Sequence, residues 1–87
     1  MSDVAIEVKR INKIQGEGHA KAFCDVALGD TFLVTGLKVV EGRNGLFVSM
    51  PQEMGKDGQW YDTVFPLTKA ARQRISETVL EAYQGSD

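Results

Sequence analysis

The chain has 87 residues, of which 43% are hydrophobic and 25% charged, with a formal net charge of −2. That length makes one domain, residues 1–87, whose modest core leaves oligomerisation as a source of further burial. A slightly acidic balance excludes a general polyanion binder, since non-specific nucleic-acid affinity comes mainly from phosphate neutralisation by Lys and Arg, so any nucleic-acid site has to be a local patch.

In chain order, Val4, Ile6 and Val8 alternate with polar positions as a first strand, and Asn12 to Gly18 reads as a turn-rich connection. Gly16-Glu17-Gly18 lacks the third glycine and following helix of a nucleotide loop, which makes it turn chemistry. Ala20, Ala22, Cys24, Val26 and Leu28 alternate as a second strand, and Gly29-Asp30 turns the chain. Thr31 to Glu41 is a long third strand with Gly36 as a bulge or close approach. Asn44-Gly45 is a strong hairpin signal, because a type I′ turn needs φ > 0 at both central residues. Leu46 to Met50 follows as a fourth strand with apolar side chains on both faces, so each face needs a cover. Pro51 ends it, Gln52 to Gln59 is a loop with Asp57-Gly58 as a turn, and Trp60 to Phe65 is a fifth strand closed by Pro66. Thr68 is a good N-cap for a C-terminal helix whose Ala71, Ile75, Val79 and Ala82 form one stripe, bordered by Tyr83, with Leu80 opposite. Gly85-Ser86-Asp87 is a short frayed end.

The predicted fold is therefore α+β: a five-stranded antiparallel sheet packed on one C-terminal helix. It dimerises through sheet edges or through Leu46, Phe47, Val48 and Met50.

The string Val39-Val40-x-Gly42-x-Asn44-Gly45-Leu46-Phe47-Val48-x-Met50-Pro51, followed by Gly58, Asp62, Pro66, Arg72, Ile75, Val79 and Tyr83, resembles the stage V sporulation protein G (SpoVG, septation regulator) family over nearly the whole chain. The resemblance implies a small bacterial α+β protein that forms homodimers and binds DNA, and in some members RNA, as a regulator of gene expression or septation. Where many relatives read Met-Pro-Ser followed by basic residues and later His-Pro, this chain has Met50-Pro51-Gln52-Glu53-Met54 and Phe65-Pro66. The segment after Pro51 is thus less basic, with Lys56 balanced by Glu53 and Asp57.

The residues offer little to catalysis. His19 and Cys24 occupy odd and even positions and so face opposite sides of one strand, which rules out a Cys-His pair within one subunit. Cys24 shares its face with Ala22, Val26 and Leu28 and reads as a buried small hydrophobe, and His19 as an exposed turn residue. One His and one Cys fall short of a structural zinc site. No spacing singles out a working pair among Asp25, Asp62 and Glu77, so no enzyme activity, cofactor or metal is expected. No basic run precedes an apolar core at Met1-Ser2-Asp3-Val4, no apolar run approaches the ~20 residues of a membrane span, and a lone cysteine fits a reducing compartment, so the expected location is cytoplasmic.

One cluster stands out. Lys69, Arg72 and Arg74 crowd the first two helical turns, where the helix dipole favours acids, while Glu77 and Glu81 come later. Two readings stand: an anion site in which free backbone N–H groups and basic side chains meet a phosphate, or a structural role in which Arg74 pairs with Glu77 and Arg72 lies along the apolar stripe. Arg72 and Arg74 fall where the resembled family has basic residues, and Lys56 is added as a loop contact. Lys9, Arg10, Lys13, Lys38 and Arg43 read as solvated charges. The expected function is a non-enzymatic homodimeric nucleic-acid-binding regulator. The alternative is a dimeric protein-interaction module that uses apolar and aromatic surface, including Trp60 and Tyr61, without nucleic acid.

Overall fold

The computed structural model describes residues 4–16 and 18–85, so the expectations for Met1 to Asp3, Glu17 and Ser86-Asp87 lie outside the described residues. Its elements are β1 (Ile6–Lys13), β2 (Ala20–Leu28), β3 (Phe32–Gly42), β4 (Gly45–Ser49), β5 (Gln52–Met54), β6 (Trp60–Asp62) and α1 (Lys69–Gln84). The first four strands form an antiparallel meander in the order β1-β2-β3-β4, and β5 and β6 form a separate two-stranded hairpin. The fold is α+β with one C-terminal helix, but the single five-stranded sheet is corrected to four strands plus two.

The reason lies at Pro51, which has no N–H to extend the β4 ladder. Beyond it the chain pairs Gln52 with Asp62, Glu53 with Tyr61 and Met54 with Trp60. Gly55 N–H donates to Gln59 O at 2.7 Å and Gly58 N–H to Gly55 O at 3.1 Å, closing the turn that carries Asp57-Gly58. The segment expected as a loop, Gln52 to Gln59, begins with the three-residue strand β5, and Thr63 to Phe65 lies outside any strand.

Three register shifts keep the meander's apolar residues on one face. In β1 a bulge between Val8 and Arg10 returns Ile11 to the side of Ile6 and Val8, so β1 continues through Asn12 and Lys13, where the sequence pattern suggests a connection. In β2 the register shifts between Ala20 and Ala22. Opposite Cys24 and Val26 it shifts again, where Leu37 and Val34 flank Thr35 and Gly36, so the expected bulge at Gly36 is present.

The type I′ sign pattern appears at a different turn from the expected one. Gly29 and Asp30 take φ of 61° and 55°, and Thr31 N–H donates to Leu28 O at 3.1 Å. At the other hairpin Gly42 pairs with Gly45 around Arg43-Asn44, and only Gly45 has positive φ, 118°. Asn44 keeps an ordinary φ there and glycine follows it, as in a reversal built on a type I turn.

The core is Ala22, Cys24 and Val26 of β2, Leu37 and Val39 of β3, Val48 and Met50, and Val79 of α1, with Ile6, Val8, Ile11, Ile75 and Tyr83 packed around it. The helix closes the inner face of the sheet, touching β1, β3 and β4. Thr68 caps it, its Oγ1 accepting from Ala71 N–H at 3.0 Å. Leu80, expected to point away, is corrected: it is half-buried and packs against the core. A helix lying across a twisted sheet covers a stripe wide enough to reach the position next to Val79.

Candidate functional site

The three basic residues of the helix start do not act as one cluster. At 3.6 residues per turn Lys69 and Arg72 are neighbours on one side, whereas Arg74 lies about 200° round from Arg72. The side chains follow that split. Arg74 is half-buried, and its Nη2 donates to the backbone carbonyl of Val4 at 2.7 Å, pinning α1 to the chain just before β1. Glu77 accepts from Gln73 Nε2 at 3.0 Å, so the expected Arg74–Glu77 pair gives way to two other contacts. Lys69 and Arg72 are exposed, and Arg72 does not lie along the apolar stripe.

No acidic residue occupies the first helical turn and no basic residue the last. Ion pairs among the described residues join Lys9 to Glu7 and Lys21 to Glu41, and neither Lys69 nor Arg72 enters one. Two free cations beside exposed backbone N–H groups at a helix start make a local positive spot on an acidic chain. Lys56 lies on a different element, exposed in the turn between β5 and β6. Of the other cations, Lys13 Nζ sits over the Tyr83 ring at 5.0 Å from its centroid and Lys38 Nζ over Phe23 at 5.8 Å.

The residues assigned to a dimer contact separate as well. Val48 and Met50 lie in the core beneath the helix, and Leu46 packs against it. Phe47 points to the opposite, outer face, where it pairs with Val40 and is half-exposed. Phe23, paired with Lys38, and Leu33, paired with Ala27, are exposed on that face too. Among the described residues no element covers it.

Cys24 is buried, 1% exposed, and burial raises its thiol to about 11, with Asp25 adding to the shift. His19 is exposed, its Nδ1 lying 3.3 Å from Glu41 O. Among the described residues no three His, Cys, Asp or Glu side chains converge on a metal-sized site. A hydrogen-bonded polar pair lies in the β5–β6 hairpin: Asp57 accepts from Tyr61 OH at 2.5 Å and from Gln59 N–H at 3.0 Å. Those bonds hold the Asp57 carboxyl below its ordinary range and the Tyr61 phenol above its own. No helix of the described residues is long and apolar enough to cross a membrane.

Sequence reasoning missed the cross-strand pair Met54–Trp60. The signal was the Asp57-Gly58 turn between them, hidden because Gln52-Glu53-Met54 is too short and polar to show a period.

Comparison with known proteins agrees with the resemblance carried by the segment from Val39 to Pro51. The SpoVG family model matches residues 3–85. A protein of Archaeoglobus fulgidus is 48% identical over 75 residues, covering 86% of this chain and 88% of its own length. One of Symbiobacterium thermophilum is 51% identical over 74 residues, and there the chain spans only 53% of the longer relative. One of Staphylococcus carnosus is 40% identical over 78 residues, covering 90% of this chain and 73% of its own. All three bear the name "Putative septation protein SpoVG". With a match that takes in every strand and the helix, the chain belongs to the SpoVG family.

Proposed function

We propose that this chain is a non-enzymatic, homodimeric nucleic-acid-binding regulator, serving septation or gene expression, whose phosphate contacts are Lys69 and Arg72. The observation that carries the reading is the pair of unneutralised, exposed cations on one side of the helix start, on a chain whose net charge is negative. Helix stability alone selects the reverse charge order, so these residues are better accounted for by an external anion than by the fold. Two such spots per dimer reach two phosphates each, a small number that gives weak, salt-sensitive binding.

The rival, an interaction module without nucleic acid, draws on the exposed Trp60 and Tyr61. A salt titration of binding to a random duplex separates the two. Under the proposal Lys69→Ala with Arg72→Ala flattens the log–log salt slope by about one unit for each phosphate no longer neutralised, with the circular dichroism spectrum unchanged. Unchanged affinity and slope in that variant transfers the function to the apolar surface.

A further inference from the structure

The segment that joins the last strand to the helix, Thr63 to Thr68, is extended and held in one shape. Pro66 fixes its own φ and drives Phe65 before it into extended backbone, and the N-cap Thr68 continues at φ −136° and ψ 162°. Side chains alternate along such a segment. Val64 and Pro66 are half-buried, whereas Phe65 and Leu67 are 67% and 96% exposed, so these two stand together on the outward side. Thr63 anchors one end by donating its N–H to Pro51 O at 2.8 Å, and Thr68 the other by accepting from Ala71 N–H at 3.0 Å.

Leu67 is the residue just before the cap. An apolar side chain there ordinarily packs on an apolar residue at the fourth helical position, a contact that fixes how the chain enters the helix. The fourth position here is Arg72. The usual apolar contact is therefore missing, and the most exposed large apolar side chain of the described residues stands at the helix entry beside a cation, with Lys69 one turn from Arg72.

We propose that Leu67, with Phe65 next to it, is a wedge that enters the base stack of a duplex whose backbone Lys69 and Arg72 hold. This deepens the functional reading and rests on it. Proteins that insert an apolar side chain between two base pairs unstack and kink that step, and they hold the flanking backbone with cations. The occupant follows from charge and size. Neither Lys69 nor Arg72 enters an ion pair among the described residues, so the ligand has to bring negative charge beside apolar surface. A duplex does so at every base step, where two phosphates flank a stacked interior. Taking about 200 Å² for each large side chain, Phe65 and Leu67 expose about 300 Å², well short of the about 800 Å² per partner of a stable protein interface and in keeping with one or two side chains placed in a step. Pro66 between them keeps the wedge stiff, so little freedom is lost when it enters.

The test compares a short intact duplex with the same duplex carrying a central bulge, both followed by anisotropy at low salt. A bulge is already partly unstacked, so the unaltered chain should bind it about tenfold more tightly than the intact duplex. Leu67→Ala should bind the two alike, with the salt slope and circular dichroism spectrum of the parent, and Leu67→Met should restore the preference. Energy transfer between dyes at the two ends of the intact duplex should rise when the parent binds and stay flat with Leu67→Ala, because only the wedge kinks the step. A parent that does not discriminate, a Leu67→Ala chain that still does, or end-to-end transfer that the parent leaves unchanged overturns the wedge. If binding in those cases still depends on Lys69 and Arg72, the phosphate site stands without it. Failure to bind either duplex removes the phosphate site and the wedge together. Phosphatidylglycerol vesicles that bind the parent but not Leu67→Ala, with the two duplexes bound alike, overturn the proposal in favour of a lipid surface.

Discussion

Arg72 and Arg74 are two residues apart and chemically identical, but the structure places them differently, Arg72 exposed and Arg74 bonded to the Val4 carbonyl, and single alanine substitutions should show it. Arg74→Ala removes a 2.7 Å charge-assisted bond to the Val4 carbonyl. Such bonds contribute about 1.5–3 kcal/mol when dry. Here Val4 is exposed, so water reaches the freed carbonyl and the net cost falls to about 1 kcal/mol. For a domain of this size that is a drop of about 4–8 °C in Tm. Arg72→Ala touches no internal contact and stays within about 0.5 kcal/mol of the parent. Under the proposed function the order reverses in duplex binding: Arg72→Ala should reduce the salt slope by about one unit, and Arg74→Ala should leave it unchanged. Urea denaturation gives the first pair of numbers and anisotropy at several salt concentrations the second. Equal stability in the two variants, or a flattened slope for Arg74→Ala, would refute the division of labour.

Two further substitutions probe the frame that holds the site. Thr68→Ala deletes the cap on Ala71 N–H and should cost about 1 kcal/mol, read by thermal melting; a melt unchanged within error would mean that water replaces the cap in full. Cys24→Ser places a hydroxyl with no good partner among Ala22, Val26 and Leu37, costing about 1–3 kcal/mol while the oligomeric state and any duplex affinity stay as they were. A thiol reagent that modifies folded Cys24 as fast as free cysteine would show that this sheet face is not core.

Most of the body was legible because it obeys simple periods. Ala22, Cys24, Val26 and Leu28 alternate without interruption, and Ala71, Ile75 and Val79 keep a helical spacing, so their inward faces could be read directly. The misreadings cluster where a tertiary partner overrides a local pattern. Ile11 rejoins the core through a bulge that no alternation reveals, and Asp30, not Asn44, takes the left-handed conformation. Val48 and Met50 appeared to need a second chain because Leu46-Phe47-Val48 is apolar on both faces, yet the helix of the same chain covers one face and leaves only Phe47 outward. Spacing also misled at the helix start, where adjacency in sequence suggested one cluster and helical geometry divides it.

Cys24 gives a test of the inner face that depends on pH rather than on a partner. Burial raises its folded-state pKa from 9.0 to about 11, so the folded chain holds the thiol proton more tightly than the unfolded chain does. The sign follows from linkage: this contribution is fully present below pH 9, declines as pH rises, and is gone above about 11. Tyr61, its phenol held protonated by Asp57, shifts the same way, so the alkaline loss in the parent chain is not due to Cys24 alone. The difference between the parent and Cys24→Ser isolates it, since serine has no proton to lose in this range. The stability gap between the two should be constant up to about pH 9 and narrow steadily above it, measured by urea denaturation at fixed ionic strength. A gap that stays constant to about pH 11 would mean that the thiolate is tolerated where it stands. In that case water reaches the space between β2, β3 and α1, and the helix does not seal the inner face of the sheet.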